Sequence, residues 1–185
     1  MRCDRKTMRL YAVTDRAWVG QGTLGDQVEQ ALRGGVTCVQ LREKSLGVPA
    51  ILVEAEEIGA LCRSYGVPFL INDRVEIALQ CGADGVHVGQ SDIKGRDIRA
   101  MIGPDKILGI SAGTVEEAQA AEKAGADYLG VGAVFPTNSK DDAVEVTFHT
   151  LRAICQAVQI PVVAIGGITP ENISQFQNAG IVGVA

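Results

Sequence analysis

Gln40, Arg42 and Lys44 recur at every second residue of the stretch VQLREK, Val39 to Lys44. Side chains alternate across a strand, so an amide, a guanidinium and an ammonium share one face. On the solvated face of an antiparallel strand such a pattern is ordinary. In a parallel sheet covered on both sides it is not, because buried cations without counter-charge are costly. The economical reading is an anionic ligand: arginine clamps phosphate oxygens in a bidentate fork and lysine supplies a compact charge.

Acidic groups follow at the next two strand ends. LINDR places Asn72 and Asp73 at one rim, and HVGQSD places Asp92 in the adjacent loop. Taken singly, Asp73 pairs with Arg42 or Arg74, and Asp92 caps a helix. Beside phosphate-seeking cations, two carboxylates are expected to hold Mg²⁺, which takes oxygen ligands and often shares them with substrate phosphates. GISAGT then carries Ser111 to the rim, and FPTNSKDD gathers Thr137, Asn138, Ser139 and Lys140 in one loop. In AIGGIT, Gly166 and Gly167 let backbone N–H groups approach a second anion, with a helix expected just beyond.

These residues need a scaffold that brings many strand ends to one rim. Nearly continuous apolar runs at 10–15, 36–43, 67–73, 85–89, 106–112, 128–135, 161–167 and 181–185 read as strands buried on both faces. Amphipathic segments alternate with them. TLGDQVEQALRGG puts Leu24, Val28, Ala31 and Leu32 on one stripe, and TVEEAQAAEKAG opens on a threonine cap and stops at Gly125. TPENISQFQNAG reads as a helix with Thr169 as cap, Pro170 at its first position and Gly180 at its end. The echo of CGADGVHVG, AGADYLGVG and AGIVGVA marks one repeating βα unit.

Eight strands and seven helices predict an α/β fold, a (β/α)₈ TIM barrel, with a doubly wound sheet as the alternative. At 185 residues the chain is short for a barrel and stops inside the eighth strand. The expectation is one TIM-barrel domain over 1–185, truncated in that strand, lacking its last helix and incompletely closed.

Composition narrows the classes. With 46% hydrophobic and 21% charged residues, one soluble globular domain is expected. No apolar run approaches the ~18–20 residues of a membrane span, and MRCDRKTMRL lacks the apolar stretch of a signal peptide. Five scattered cysteines without a CxxC read as reduced thiols of a cytoplasmic protein with no zinc framework. A net charge of −5 argues against a nucleic-acid partner, so anions must be held by local charge focused in a cleft. Oligomeric state leaves no signal.

QLREK, NDR, HVGQSD, GISAGT, GAVFPTNSK and VAIGGITPEN occur in the order and spacing of the thiamine phosphate synthase family, and the resemblance runs from Leu10 to the chain end. It implies a transferase of thiamine biosynthesis. Such an enzyme joins 4-amino-2-methyl-5-(diphosphooxymethyl)pyrimidine to a (carboxy)thiazole phosphate, with Mg²⁺, releasing pyrophosphate through a dissociative carbocation path. By that resemblance Gln40, Arg42, Lys44, Asn72, Ser111 and Lys140 serve the pyrimidine diphosphate. Thr137, Asn138, Ser139 and Gly167 serve the thiazole phosphate, and Asp73 and Asp92 the metal. Ser139 stands where the family commonly has threonine, which keeps the hydroxyl.

Two rivals stand beside this reading. A thiazole tautomerase would not need both carboxylates and the QLREK cations, and a non-catalytic thiamine phosphate-binding module would turn over nothing. His87 reads as a packing or hydrogen-bonding residue and His149 as an ordinary helix residue; Trp18 covers the first loop or shapes the mouth.

Overall fold

The computed structural model describes residues 3–137 and 145–185, so Asn138, Ser139 and Lys140 lie outside the described residues. Among the described residues, eight parallel strands follow one another in sequence order: β1 (Tyr11–Val13), β2 (Cys38–Leu41), β3 (Phe69–Asn72), β4 (Gly85–Val88), β5 (Ile107–Ser111), β6 (Tyr128–Val131), β7 (Val162–Ala164) and β8 (Gly183–Val184). A parallel bridge between Leu10 and Val184, with Val184 N donating to Arg9 O at 3.1 Å, joins the last strand to the first. Sequential neighbours closed in this way make a (β/α)₈ barrel and exclude the doubly wound order. Though β8 is only two residues long, it reaches the start of β1.

Among the described residues, six α-helices wrap the sheet: α1 (Leu24–Arg33), α2 (Val48–Tyr65), α3 (Val75–Gln80), α4 (Ile98–Ile102), α5 (Val115–Lys123) and α6 (Phe148–Ala157). Local chemistry starts α1 and α5 where the sequence indicates. Thr23 Oγ1 accepts from Asp26 N at 3.0 Å while Asp26 Oδ2 accepts from Thr23 N at 2.9 Å, a reciprocal capping box for α1. Thr114 Oγ1 caps α5 through Glu117 N at 3.2 Å, and Gly125, with φ 84°, ends the turn after it.

The crossover from β7 to β8 departs from expectation. The segment after Thr169 forms a 3₁₀ turn, Ile173–Phe176, rather than an α-helix. The chain starts as expected, with Asn172 Oδ1 accepting from Thr169 N at 2.8 Å and Ile173 N donating to Thr169 O at 3.0 Å, but it then tightens to i→i+3 bonds, Gln175 N to Asn172 O at 3.0 Å and Gln177 N to Ser174 O at 3.2 Å. Asn178, at φ 61°, bends it before β8.

Packing fixes which strand face looks inward. Val39, Leu41, Phe69, Ile71, Leu108, Ile110, Leu129 and Val131 lie buried in the layer between sheet and helices. Each contributes about 1.5–3 kcal/mol by leaving water, so a slip by one residue is excluded and the alternate positions must face the barrel axis. A second cluster of Met8, Tyr11, Cys38, Leu70, Ile107, Tyr128 and Val163 fills the axis itself.

Candidate active site at the carboxyl rim

With Val39 and Leu41 packed on helices, Gln40 turns inward and is buried. Its Nε2 donates to Tyr11 OH at 2.7 Å. Arg42 and Lys44 lie just past the end of β2. Arg42 N donates to Thr14 Oγ1 at 2.9 Å, and its guanidinium lies 3.6 Å from Asp15 Oδ2. Asn72 and Asp73 close β3 beside them. Lys44, Asn72 and Asp73, together with Glu43 and Arg74, line one cleft of about 250 Å³.

Asp73 occupies a left-handed backbone position, φ 60°, that costs a non-glycine residue on the order of 1 kcal/mol. Its N–H donates to His87 O at 2.8 Å, and its carboxylate accepts from the Asn72 amide. The turn thus presents the carboxylate to the cleft rather than letting it run on into α3. Asp92 does not line this cleft; it sits on the neighbouring loop after β4, where its Oδ2 accepts from Gly89 N at 2.9 Å. Asp92 therefore ties its own loop, while the helix cap belongs to Asp97, whose Oδ1 accepts from Ala100 N at 2.9 Å.

A chain of hydrogen bonds crosses the barrel above the apolar plug. Tyr11 OH lies 2.8 Å from Tyr128 OH, which lies 2.8 Å from His87 Nδ1; His87 Nε2 lies 2.9 Å from Ser111 Oγ. Burial pushes both tyrosine hydroxyls well above their ordinary range, so they stay protonated. His87 is thus the hydrogen-bonding residue the sequence indicates. Tyr11 and Tyr128 share the inward face: Tyr128 alternates with Gly130 on β6, and Tyr11 pairs with Cys38, which alternates with Gln40 on β2. Ser111 also fixes its neighbour, accepting on its carbonyl from Gln90 Nε2 at 2.6 Å.

Of the second set of predicted residues, Thr137 and Gly167 are described, and they lie on the opposite side of the rim, in the loops after β6 and β7. The ladder between β6 and β7 continues past the strands, with Val134 N to Ile165 O at 3.0 Å and Phe135 N to Gly166 O at 3.1 Å. A side chain at Gly167 would lie 2.5 Å from Pro136 O, and one at Gly166 would lie 2.6 Å from Ala133 Cβ. Glycine is required at both, and the close approach sets Gly167 beside the loop that carries Thr137. Because no α-helix follows, the anion argument here rests on backbone approach rather than on a helix terminus.

Sequence reasoning missed Glu43, which lies inside QLREK but serves its loop. Glu43 Oε2 accepts from Arg16 Nε at 2.7 Å, and Oε1 accepts from Ser45 N and Ser45 Oγ, each at 2.7 Å. Burial alone would raise this carboxyl; the Ser45 hydrogen bonds and the Arg16 guanidinium overcome it and hold it at about 2. Trp18, beside Arg16 in the 3₁₀ turn Arg16–Trp18, is exposed on the loop after β1. At the other end of the barrel, a cleft bounded by Gly82, Asp84, Gly103 and Lys106 contains none of the predicted site residues.

The sequence model described as thiamine monophosphate synthase matches residues 10–185. A thiamine-phosphate synthase of Ruminiclostridium cellulolyticum is 52% identical over 176 residues, covering 95% of this chain and 84% of that one. One from Methanobrevibacter smithii is 48% identical over 178 residues, covering 96% and 85%. Among solved structures, thiamine phosphate pyrophosphorylase from Pyrococcus furiosus superposes with a TM-score of 0.87 at 38% identity, over 98% of this chain and 86% of that one. The N-acetylmannosamine-6-phosphate 2-epimerase of Clostridium perfringens reaches 0.71 at 16% identity, over 97% and 87%, a likeness of fold alone.

Proposed function

Because the chain belongs to the thiamine monophosphate synthase family, we propose that it joins an aminopyrimidine diphosphate to a thiazole phosphate and releases pyrophosphate. The observation that carries this reading is the cleft at the ends of β2 and β3, where Lys44, Asn72 and Asp73 line one opening. Arg42 and Lys44 bind the diphosphate, Gln40 and Ser111 the ring, and Thr137 and Gly167 the thiazole phosphate. Asn138 and Ser139 complete the latter group, and Lys140 meets the leaving pyrophosphate; these three rest on the sequence pattern.

The donor set fits Mg²⁺. Asp73 is held at the cleft by its backbone turn, and Asp92 keeps one carboxylate oxygen beyond the one bound to Gly89 N. When bound, the ion would neutralise charge developing on the departing diphosphate. The protein's own part is to orient: Arg42 and Lys44 favour the leaving group as the carbon–oxygen bond breaks, and no general base is needed if the thiazole nitrogen captures the resulting cation.

Both substrates are small molecules. No described helix is long and apolar enough to cross a membrane. All five cysteines are free, and their thiols are raised by burial, which suits a reducing cytoplasm. A pyrophosphate-release assay with both substrates, with and without Mg²⁺, tests the reading. Release requiring both substrates and the ion is expected. Isomerisation of a thiazole without pyrophosphate release would instead favour the tautomerase, and binding of thiamine phosphate without turnover the binding module.

A further inference from the structure

Glu43 lies between Arg42 and Lys44, the two cations assigned to the diphosphate, and it borders the same cleft. An acid there opposes an anionic ligand unless its charge is engaged elsewhere. The loop after β1 engages it. We propose that Thr14, Asp15 and Arg16 form a clamp on QLREK, with Arg16 bridging Glu43 to Glu54 of α2, and that this clamp aims Arg42 and Lys44 at the diphosphate. The assignment of Arg16 and Glu43 as positioning residues rests on the functional reading above.

Three consecutive residues grip the neighbouring loop. Thr14 is buried; its Oγ1 accepts from Arg42 N at 2.9 Å and donates to Arg42 O at 3.4 Å, and its N–H donates to Gln40 O at 2.9 Å. Asp15 Oδ2 faces the Arg42 guanidinium at 3.6 Å. Its Oδ1 accepts from Ala17 N at 2.9 Å and so starts the 3₁₀ turn that carries Arg16. Arg16 Nε donates to Glu43 Oε2 at 2.7 Å, and its Nη2 donates to Glu54 Oε1 at 2.6 Å. One planar guanidinium thus spans a loop carboxylate and a helix carboxylate, a fork that the point charge of a lysine does not reproduce.

Burial makes the bridge hard to release. The side chains of Glu43 and Glu54 are 3% and 15% exposed, and Glu54 Oε2 is buried without a hydrogen-bond partner among the described residues. Withdrawing Arg16 would leave two nearly buried carboxylates without their cation, which is costly. On its other side Glu43 Oε1 accepts from Ser45 N and Ser45 Oγ, each at 2.7 Å, and from Leu46 N at 3.3 Å. Lys44 is therefore flanked by two fixed points, the Arg42 backbone and the Ser45–Leu46 turn. Binding groups without such support lose the geometry on which recognition of the ligand depends.

Two substitutions separate aiming from simple charge. Glu43→Gln removes a negative charge beside the cleft, so Coulomb's law alone predicts tighter binding of an anion. The clamp predicts the reverse. Affinity for inorganic pyrophosphate with Mg²⁺, measured by calorimetry, is expected to fall about tenfold, while affinity for the thiazole phosphate stays within about twofold. Arg16→Lys keeps the charge and loses the fork, so an intermediate loss is expected there even if Glu43→Gln does not fold. The aim itself is read from ¹⁵N relaxation of the Arg42 Nε–H, assigned through Arg42→Lys: ordered in the wild type and loosened in both variants. Unchanged or tighter pyrophosphate binding, equal losses for the two ligands, or an Arg42 side chain as ordered as in the wild type would overturn the clamp. A wild type that binds no pyrophosphate would instead sink the functional reading, and the order of Arg42 would still judge the clamp.

Discussion

Glu43 sits between Arg42 and Lys44, yet its carboxylate turns to Arg16 and Ser45, with only 3% of the side chain exposed. A carboxyl held at about 2 in the folded protein, against an ordinary value of 4.5, stabilises the fold above the higher value. That contribution is lost as pH falls through the lower one, and it amounts to something on the order of 3 kcal/mol. Glu43→Gln is therefore expected to be less stable than the wild type at pH 7, with the gap narrowing between about pH 4.5 and pH 2, measured by urea denaturation across that range. Asp73→Ala and Asp92→Ala belong to the same scale. Each is expected to lose most Mg²⁺-dependent turnover and to weaken Mg²⁺ binding by calorimetry; unchanged activity in both would remove the metal assignment. Alternation alone placed Gln40 inward, because Val39 and Leu41 had to be buried. The role of Glu43 was not legible, since its partner Arg16 lies 27 residues upstream and only the closure of neighbouring loops brings them together.

Between elements, the loops after β6 and β7 meet through backbone, with Phe135 N donating to Gly166 O at 3.1 Å. Gly167→Ala would bring a methyl group against Pro136 O at a residue whose φ is 61°. Strain of about 1–3 kcal/mol is expected, together with weaker binding of the thiazole phosphate, read from its KM and from the melting temperature. Thr137→Val is expected to raise the KM for the thiazole phosphate more than that for the pyrimidine diphosphate; equal losses would argue against two separate anion sites. Element type was legible wherever a strand was apolar throughout or a helix carried its own cap, as at Thr23 and Thr114. After β7 the predicted cap at Thr169 is present, but the turn tightens to a 3₁₀ geometry over Ile173–Phe176, a choice between i→i+3 and i→i+4 bonds that the pattern of apolar residues does not reveal.

At the scale of the whole molecule, barrel closure depends on a very close approach. A side chain at Gly183 would lie 1.9 Å from Met8 O and 2.4 Å from Arg9 O, both backbone atoms. Gly183→Ala must push β8 away from the residues preceding β1, and overpacking of this kind costs about 1–3 kcal/mol. A fall in melting temperature of roughly 2–12 °C is expected for a chain of this size, measured by calorimetry. The sequence pattern foretold the barrel from eight apolar runs but not its seam, because two residues of β8 carry no periodicity to read.

The seven side chains packed along the axis, from Met8 to Val163, are nearly sealed from solvent. The barrel is thus a cup with a solid floor, and traffic has one doorway. In the proposed reaction both reactants arrive and both products depart by that same opening, so whichever product lingers there bars the next arrivals.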